Sequence, residues 1–170
     1  MAHNFSTWTT LKYCLILLLC CVSQWAYSQS SQQDAKQHMK QLSFLTGEWI
    51  GTSTAYKDGE IAKQGTAYEH IYYDLDSSIL VIQLNSEFLQ LHTIIRYDED
   101  DETFYYHPFY KRGTNRYPAS MQDGQLVVRS SETKRFIFTS TEDGGFREYG
   151  EQLVDGTWVK YFEDVFINTQ

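Results

Sequence analysis

The sequence predicts an all-β protein: a closed antiparallel up-and-down β-barrel of about ten strands, with a short N-terminal helix across one end. The first observation is four Asp-Gly pairs between β-rich runs, which favour tight hairpin turns because both central residues of a type I′ turn need positive φ. They are Asp58-Gly59, Asp123-Gly124, Asp143-Gly144 and Asp155-Gly156.

The second observation is that no long helical pattern separates the β-rich runs, which excludes a parallel βαβ sheet. The breaks leave ten predicted strands: 47–57, 60–73, 79–85, 87–97, 102–111, 116–122, 125–130, 133–142, 145–154 and 157–167. An open meander of this length would expose two long edges, and closure into a barrel removes them. A two-sheet sandwich remains the alternative.

Residues 1–28 have the pattern of a signal peptide. Lys12 precedes an apolar run at 14–22, and Ala26 and Ser28 are small residues placed for cleavage before Gln29. The run is shorter than the roughly 20 apolar residues of a spanning helix. The sequence therefore predicts an exported protein, periplasmic or extracellular, without stable membrane insertion after cleavage. A disordered leader at 29–33 and one domain at 34–170 follow.

The amino-acid composition limits the kinds of partner that the protein is expected to bind. All three cysteines lie in the predicted signal peptide, so the rest of the chain forms no disulfide and offers no thiol nucleophile. The chain has 14 basic and 22 acidic residues, and every acid lies after residue 28. Because an acidic surface repels phosphate backbones, we expect no nucleic-acid partner. The expected partner is a small molecule.

The start of the predicted domain is a short helix followed by a glycine-tryptophan motif. Ala35, Met39 and Leu42 share one face of a helix over 34–45. Leu42 to Gly51 then resembles the opening of lipocalin-like, calycin-type small barrels, and the layout is most similar to an uncharacterised bacterial barrel family classed as a domain of unknown function. Its Gly-x-Trp-x-Gly form is shared with the more distant nitrobindin-like and fatty-acid-binding-protein-like barrels.

This resemblance implies structural roles for Gly47, Trp49 and Gly51. Trp49 would plug the closed end of the barrel beneath the helix, and Gly47 would let helix and strand approach closely. Nitrobindin-like barrels hold haem iron through a histidine near the C-terminal strands. No histidine follows His107 here, so we expect no cofactor.

The predicted hairpin 87–97/102–111 supplies the first candidate ligand-binding residues. An even-numbered turn within 98–101 would pair His92 directly with His107, and would place Arg96 and Tyr105 on the same face. Pointing inward, this face suits an anionic ligand or a transition metal, although two histidines are too few to predict a metal site. Simple alternation favours the opposite, apolar face as the inner one.

Arg147 and Tyr149 form the second candidate. They share a strand face, and fatty-acid-binding barrels use a similar Arg-x-Tyr pair to hold a carboxylate. A surface charge pair with a neighbouring acid is the alternative. Glu69 and His70 are adjacent in a strand and so point to opposite faces, which prevents them from acting together.

We therefore expect a barrel that binds a small apolar or amphipathic ligand in its interior. No residue is assigned a catalytic role. One alternative is an enzyme of the cyclase or isomerase kind, which would use His92, Arg96, Tyr105 and His107 for acid–base chemistry. The other is a filled barrel with a structural or partner-binding role.

Overall fold

A computed structural model describes residues 34–170. The predicted signal peptide at 1–28 and the leader at 29–33 lie outside the described residues. No helix within the described chain is long and apolar enough to cross a membrane. The strands are β1 Gly47–Lys57, β2 Glu60–Asp74, β3 Ile79–Ser86, β4 Gln90–Asp98, β5 Thr103–Tyr110, β6 Gly113–Thr114, β7 Tyr117–Gln122, β8 Gln125–Ser131, β9 Lys134–Ser140, β10 Phe146–Val154 and β11 Thr157–Asn168.

Ten of these strands form a closed antiparallel barrel, which confirms the predicted fold class. Sequential neighbours pair around the wall, and two pairings between non-sequential strands complete it: β5 with β7, past the short β6, and β1 with β11. The two-residue β6 is a short extension that pairs only with the end of β5. Because the first and last strands are joined, the wall has no long free edge. The sandwich alternative is therefore wrong.

The four Asp-Gly pairs all lie at hairpin tips, as predicted. At Asp58-Gly59, Asp123-Gly124 and Asp155-Gly156 both residues have positive φ, and each pair directly joins two strands. Asp143-Gly144 lies in a longer loop between β9 and β10, where only Gly144 has positive φ. The backbone amide of Thr141 donates to Gly145 across the base of this loop at 2.9 Å. Local turn chemistry therefore fixes the strand order along the chain.

The helix closes one end of the barrel. Residues 34–39 are α-helical and continue into a 3-10 helix, Lys40–Leu45. Met39, Leu42 and Leu45 are fully buried in the same core as Trp49, which is 2% exposed. The Trp49 indole Nε1 donates to the Leu45 carbonyl oxygen at 2.8 Å, and its ring meets the Phe146 ring edge-on. These contacts place Trp49 under the helix.

Gly51 allows β1 and β11 to approach closely. A Cβ atom at this position would lie 2.0 Å from the backbone oxygen of Val165 on β11. Backbone atoms in a paired strand cannot move aside without breaking the pairing, so any side chain here would push the two strands apart. The structural role predicted for Gly51 is thus a role in closing the barrel wall.

Candidate ligand-binding cavity

The half of the barrel away from the helix contains a cavity of about 290 Å³. It opens beside the connection between β3 and β4, where Phe88 and Leu89 are exposed. Most lining side chains are apolar or aromatic. They are Ser53, Thr54, Ala55, Lys63, Leu84, Ser86, Phe88, Leu89, Leu91, Tyr106, Tyr110, Phe136, Glu148, Phe162 and Asp164.

Three acidic side chains point into the barrel. Glu69 on β2, Glu148 on β10 and Asp164 on β11 are 1%, 8% and 4% exposed, and we call them the interior acid cluster. Glu148 and Asp164 are direct cross-strand partners, so their side chains leave neighbouring points of the wall. Both line the cavity. Glu69 pairs with Trp49 across β1 and β2, which places it deeper, toward the closed end.

The interior acid cluster is incompletely paired within the described chain. Neither carboxyl oxygen of Glu69 has a hydrogen-bond partner there, and neither has Asp164 Oδ1. Buried polar atoms without partners are rare and destabilising, because they lose water and gain nothing in return. The one basic residue among the lining residues is Lys63, which is exposed at the mouth.

Burial makes these carboxyl groups hold their protons more tightly. It raises the pKa of Asp164 to about 6, against the opposing effect of hydrogen bonds from Ser53 and the Thr54 backbone. Burial and then the charge of Asp164 raise the pKa of Glu69 well above its ordinary value. The pKa of Glu148 is raised in the same way, by burial and then by Glu69 and Asp164. Burial therefore moves the ionisation of these carboxyl groups to higher pH than that of exposed acids.

Two tyrosines, one buried on β5 and one half-buried on β11, lie near these acids. Tyr106 on β5 is 4% exposed, and burial followed by the charge of Glu148 raises its pKa. Burial and then Glu148 likewise raise the pKa of Tyr161 on β11 to about 12. Both phenols are therefore uncharged at neutral pH and can donate hydrogen bonds. The cavity thus combines apolar walls with carboxyl and phenol groups.

The first set of predicted ligand-binding residues lies on the outer face of the barrel. His92, Arg96, Tyr105 and His107 share one face, as predicted, but the inner face is the opposite one, with Leu91, Thr93, Ile95, Tyr97, Phe104 and Tyr106. The predicted direct pairing of the two histidines is wrong, because His92 pairs with Phe109 and His107 with Ile94. The physical reason is that the connecting loop spans 99–102, with Glu102 at φ 48°, rather than lying within 98–101.

These outer residues already have partners. Arg96 Nη2 donates to Asp98 Oδ2 at 2.5 Å, and the Tyr105 hydroxyl donates to Asp101 Oδ2 at 2.5 Å. The Arg116 guanidinium lies over the Tyr105 ring at 3.4 Å. The guanidinium and phenol groups expected to hold a ligand inside the barrel are thus engaged by acids of the same hairpin.

Arg147 and Tyr149 also lie on the outer face, at positions that pair with Val165 and Glu163 of β11. Arg147 Nη1 is 3.8 Å from Glu163 Oε1, and its guanidinium lies 5.6 Å from the centre of the Tyr149 ring. This arrangement is the surface charge pair that the sequence left open as the alternative. None of the six predicted ligand-binding residues lines the cavity, and a binding role for them stays an untested prediction.

The cavity acids were missed at the sequence level, although one signal was present. Glu148 lies between Arg147 and Tyr149, and strand alternation places it on the face opposite to both. The same alternation separates Glu69 from His70, as predicted. Glu69 is buried, whereas His70 lies on the outer face, where its Nε2 is 3.3 Å from Glu48 Oε1. An acid on the otherwise apolar face of a strand is the pattern that would have identified them.

Within residues 34–170 no three His, Cys, Asp or Glu side chains are placed to hold a metal ion. No family model matches the chain, and no curated protein matches it. Fold and site together define the class: a closed ten-stranded antiparallel β-barrel, consistent with lipocalin-like barrels, with an apolar cavity lined by carboxyl groups.

Proposed function

We propose that this chain is an exported lipocalin-like barrel that binds a small apolar or amphipathic molecule in its interior. The observation that carries the proposal is the cavity of about 290 Å³, closed at the helix end and open beside Phe88 and Leu89. Its volume is close to the lower end of the range of small-molecule pockets, about 300 Å³. Apolar walls with a few polar groups are typical of such sites.

The cavity favours binding over the filled-barrel alternative. Met39, Leu42, Leu45 and Trp49 fill the helix half of the barrel, whereas the core residues Leu84, Leu91 and Tyr106 line open space in the other half. A barrel with a purely structural role has no need of space in the other half, because unfilled volume costs stability. Export is supported by the sequence pattern of residues 1–28, and the acidic composition supports a small molecule over nucleic acid.

The test is to fill the cavity. Ala55 lines it, and Thr52 lies on the same strand but is exposed on the outer face, so Ala55→Trp and Thr52→Trp are a matched pair. Calorimetric titration with octan-1-ol should show binding to the unchanged protein and to Thr52→Trp, and none to Ala55→Trp. Native mass spectrometry of the protein from its own host should show a co-purified molecule. Equal binding by both variants would place the site elsewhere and refute the proposal.

Acid–base catalysis is a second candidate function, favoured by one observation. The carboxyl group of Asp164 lines the cavity and has its pKa raised by burial to about 6, within the range useful for proton transfer near neutral pH. Such chemistry would use Asp164 and Glu148 rather than the histidines of the outer face. Conversion of the co-purified molecule to a new species, stopped by Asp164→Asn without loss of binding, would establish it. Recovery of the molecule unchanged would exclude it.

A further inference from the structure

We infer that the molecule bound in this cavity is an organic cation, an amine on an apolar body, whose ammonium group lies between Glu148 and Asp164. The inference rests on the proposed function and specifies its ligand class. It follows from the charges that line the cavity, from one unpaired carboxyl oxygen and from the aromatic walls.

The charges of the lining residues disfavour an anionic ligand. Glu148 and Asp164 line the cavity, and Glu69 lies behind them without any hydrogen-bond partner in the described chain. Lys63, the single basic lining residue, extends over the Phe88 ring at the mouth, with 5.8 Å between Nζ and the ring centre. A carboxylate brought inside would therefore add a like charge to the interior acid cluster. The ligand inferred from the cavity is therefore a cation, and not the carboxylate that the Arg147 and Tyr149 pair indicated in the sequence.

The unpaired oxygen of Asp164 favours a ligand that carries a hydrogen-bond donor. Asp164 Oδ1 is buried, has no partner in the described chain and belongs to a residue that lines the cavity. An ammonium group carries three donors and no acceptor, so it can satisfy this oxygen and a Glu148 oxygen together. Hydrogen bonds between charged partners are about twice as strong as neutral ones. A neutral apolar ligand would leave the oxygen unpaired.

The walls favour an organic cation over a metal ion. The aromatic rings of Tyr106, Tyr110, Phe136 and Phe162 surround the space in front of the two acids. The face of an aromatic ring attracts an ammonium group, by about 0.5–2 kcal/mol per contact depending on desolvation. A metal ion instead needs several oxygen or nitrogen ligands, and no suitable group of three exists within residues 34–170.

Binding of a cation should also release protons. Burial raises the pKa of Asp164 and Glu148, and a bound ammonium would stabilise their ionised forms and so lower both pKa values. The affinity should therefore fall as pH falls. The other titratable groups near these acids are Glu69 and Lys63 from β2, Tyr106 and Tyr110 from β5, and Tyr161 and Glu163 from β11. Phenols and amines as classes ionise near pH 10, so titration between about pH 5 and 8 reports the carboxyl groups.

The experiment compares three probes of equal length: octylamine, octan-1-ol and octanoate. Each is titrated by calorimetry into the protein purified after expression of the full chain. At about pH 7.5 octylamine should bind at least about 10-fold more tightly than octan-1-ol, and octanoate should bind most weakly. The octylamine affinity alone should fall on acidification to about pH 5.

Variants then assign the preference to the two acids. In Asp164→Asn and Glu148→Gln the ratio of octylamine to octan-1-ol affinity should fall toward one, and a general loss of affinity cancels from this ratio. Glu132→Gln is the control, because Glu132 is exposed in the turn between β8 and β9 and does not line the cavity. Its ratio should equal that of the unchanged protein.

Two results would overturn the inference, and they are distinguishable. If octan-1-ol binds as tightly as octylamine, or if acidification weakens both equally, the ligand is not chosen by charge, and the proposed interior binding still stands. If no probe binds, the proposed function fails and the inference fails with it. Should either variant not fold, the probe ranking and its pH dependence in the unchanged protein decide the question.

Discussion

Replacing Asp164 by asparagine should change how folding stability depends on pH. Asp164 is 4% exposed, and its pKa is about 6 in the folded chain against an ordinary 3.8. Each pH unit of difference corresponds to 1.36 kcal/mol, so the ionised carboxylate costs the fold roughly 3 kcal/mol above pH 6. Asparagine has nearly the size of aspartate and keeps a side-chain oxygen that accepts hydrogen bonds, so the variant removes the charge without emptying the position.

The direction in which stability changes with pH follows from the proton bound by Asp164. Between about pH 4 and 6 the folded chain keeps a proton on Asp164 that the unfolded chain has already lost. Stability from this group is therefore complete below the unfolded pKa and is lost as pH rises through the folded pKa. The free energy of unfolding of Asp164→Asn, relative to the unchanged protein, should rise by roughly 3 kcal/mol from about pH 4 to about pH 8.

Urea denaturation at several pH values between about 4 and 8 measures this difference. Glu132→Gln, in the exposed turn between β8 and β9, is the control and should follow the unchanged protein in shape. A difference between Asp164→Asn and the unchanged protein that stays constant within about 1 kcal/mol would show that the carboxyl group ionises freely, and would refute the argument from burial. Carbon-13 NMR titration of the Asp164 carboxyl gives the same answer without a variant.

Three other changes test the wall, the closed end and the outer face. Trp49→Ala should lower the free energy of unfolding by about 3–5 kcal/mol, and an unchanged denaturation midpoint would show that the indole does not close the barrel. Gly51→Ala should weaken the pairing of β1 with β11, because the new Cβ would lie 2.0 Å from the Val165 oxygen; amide exchange at these strands would then be faster, and unchanged protection would contradict the close approach. Burial and then the charge of Arg116 lower the pKa of His107, so Arg116→Gln should raise it in an NMR titration, whereas an unmoved curve would exclude the charge effect.

Sequence patterns predicted the wall of the barrel because its determinants are local. Two-residue Asp-Gly turns fix where one strand ends and the next begins, and the predicted bounds of β1 agree with the structure at both ends. The bounds are less accurate where the connection has no such turn: the strand predicted at 87–97 is Gln90–Asp98. The two-residue β6 was not predicted, since two residues carry no alternation to recognise.

Register was harder to predict than the strand faces. The loop between β4 and β5 spans 99–102 and ends with Glu102 at positive φ, which a non-glycine residue seldom adopts, so the sequence favoured an earlier turn. Moving the loop by one residue shifts the register by two. Because side chains alternate with a period of two, the same residues stayed on one face while their direct partners changed. His92 and His107 therefore share a face without being paired.

The interior acid cluster could be foreseen in part. Each acid lies on the inward face of its strand between two apolar or glycine residues: Glu69 between Ala67 and Ile71, Glu148 between Phe146 and Gly150, and Asp164 between Phe162 and Phe166. That pattern indicates a buried acid, one strand at a time. Their meeting depends on closure, because β2 reaches β11 only through the pairing of β1 with β11.

The energetic cost of this arrangement is itself an argument for a ligand. Three mutually repelling carboxyl groups beside an unfilled cavity lower the stability of the barrel, and apolar residues of similar volume would remove both penalties. A bound cation removes the same penalties by pairing the charges and filling the space. A ligand that binds the folded chain but not the unfolded chain stabilises the fold. The stabilisation grows with the ratio of the ligand concentration to Kd. Octylamine should therefore raise the melting temperature, and in Asp164→Asn this gain should fall to the gain given by octan-1-ol. An equal gain in the variant would show that the acids are only a cost.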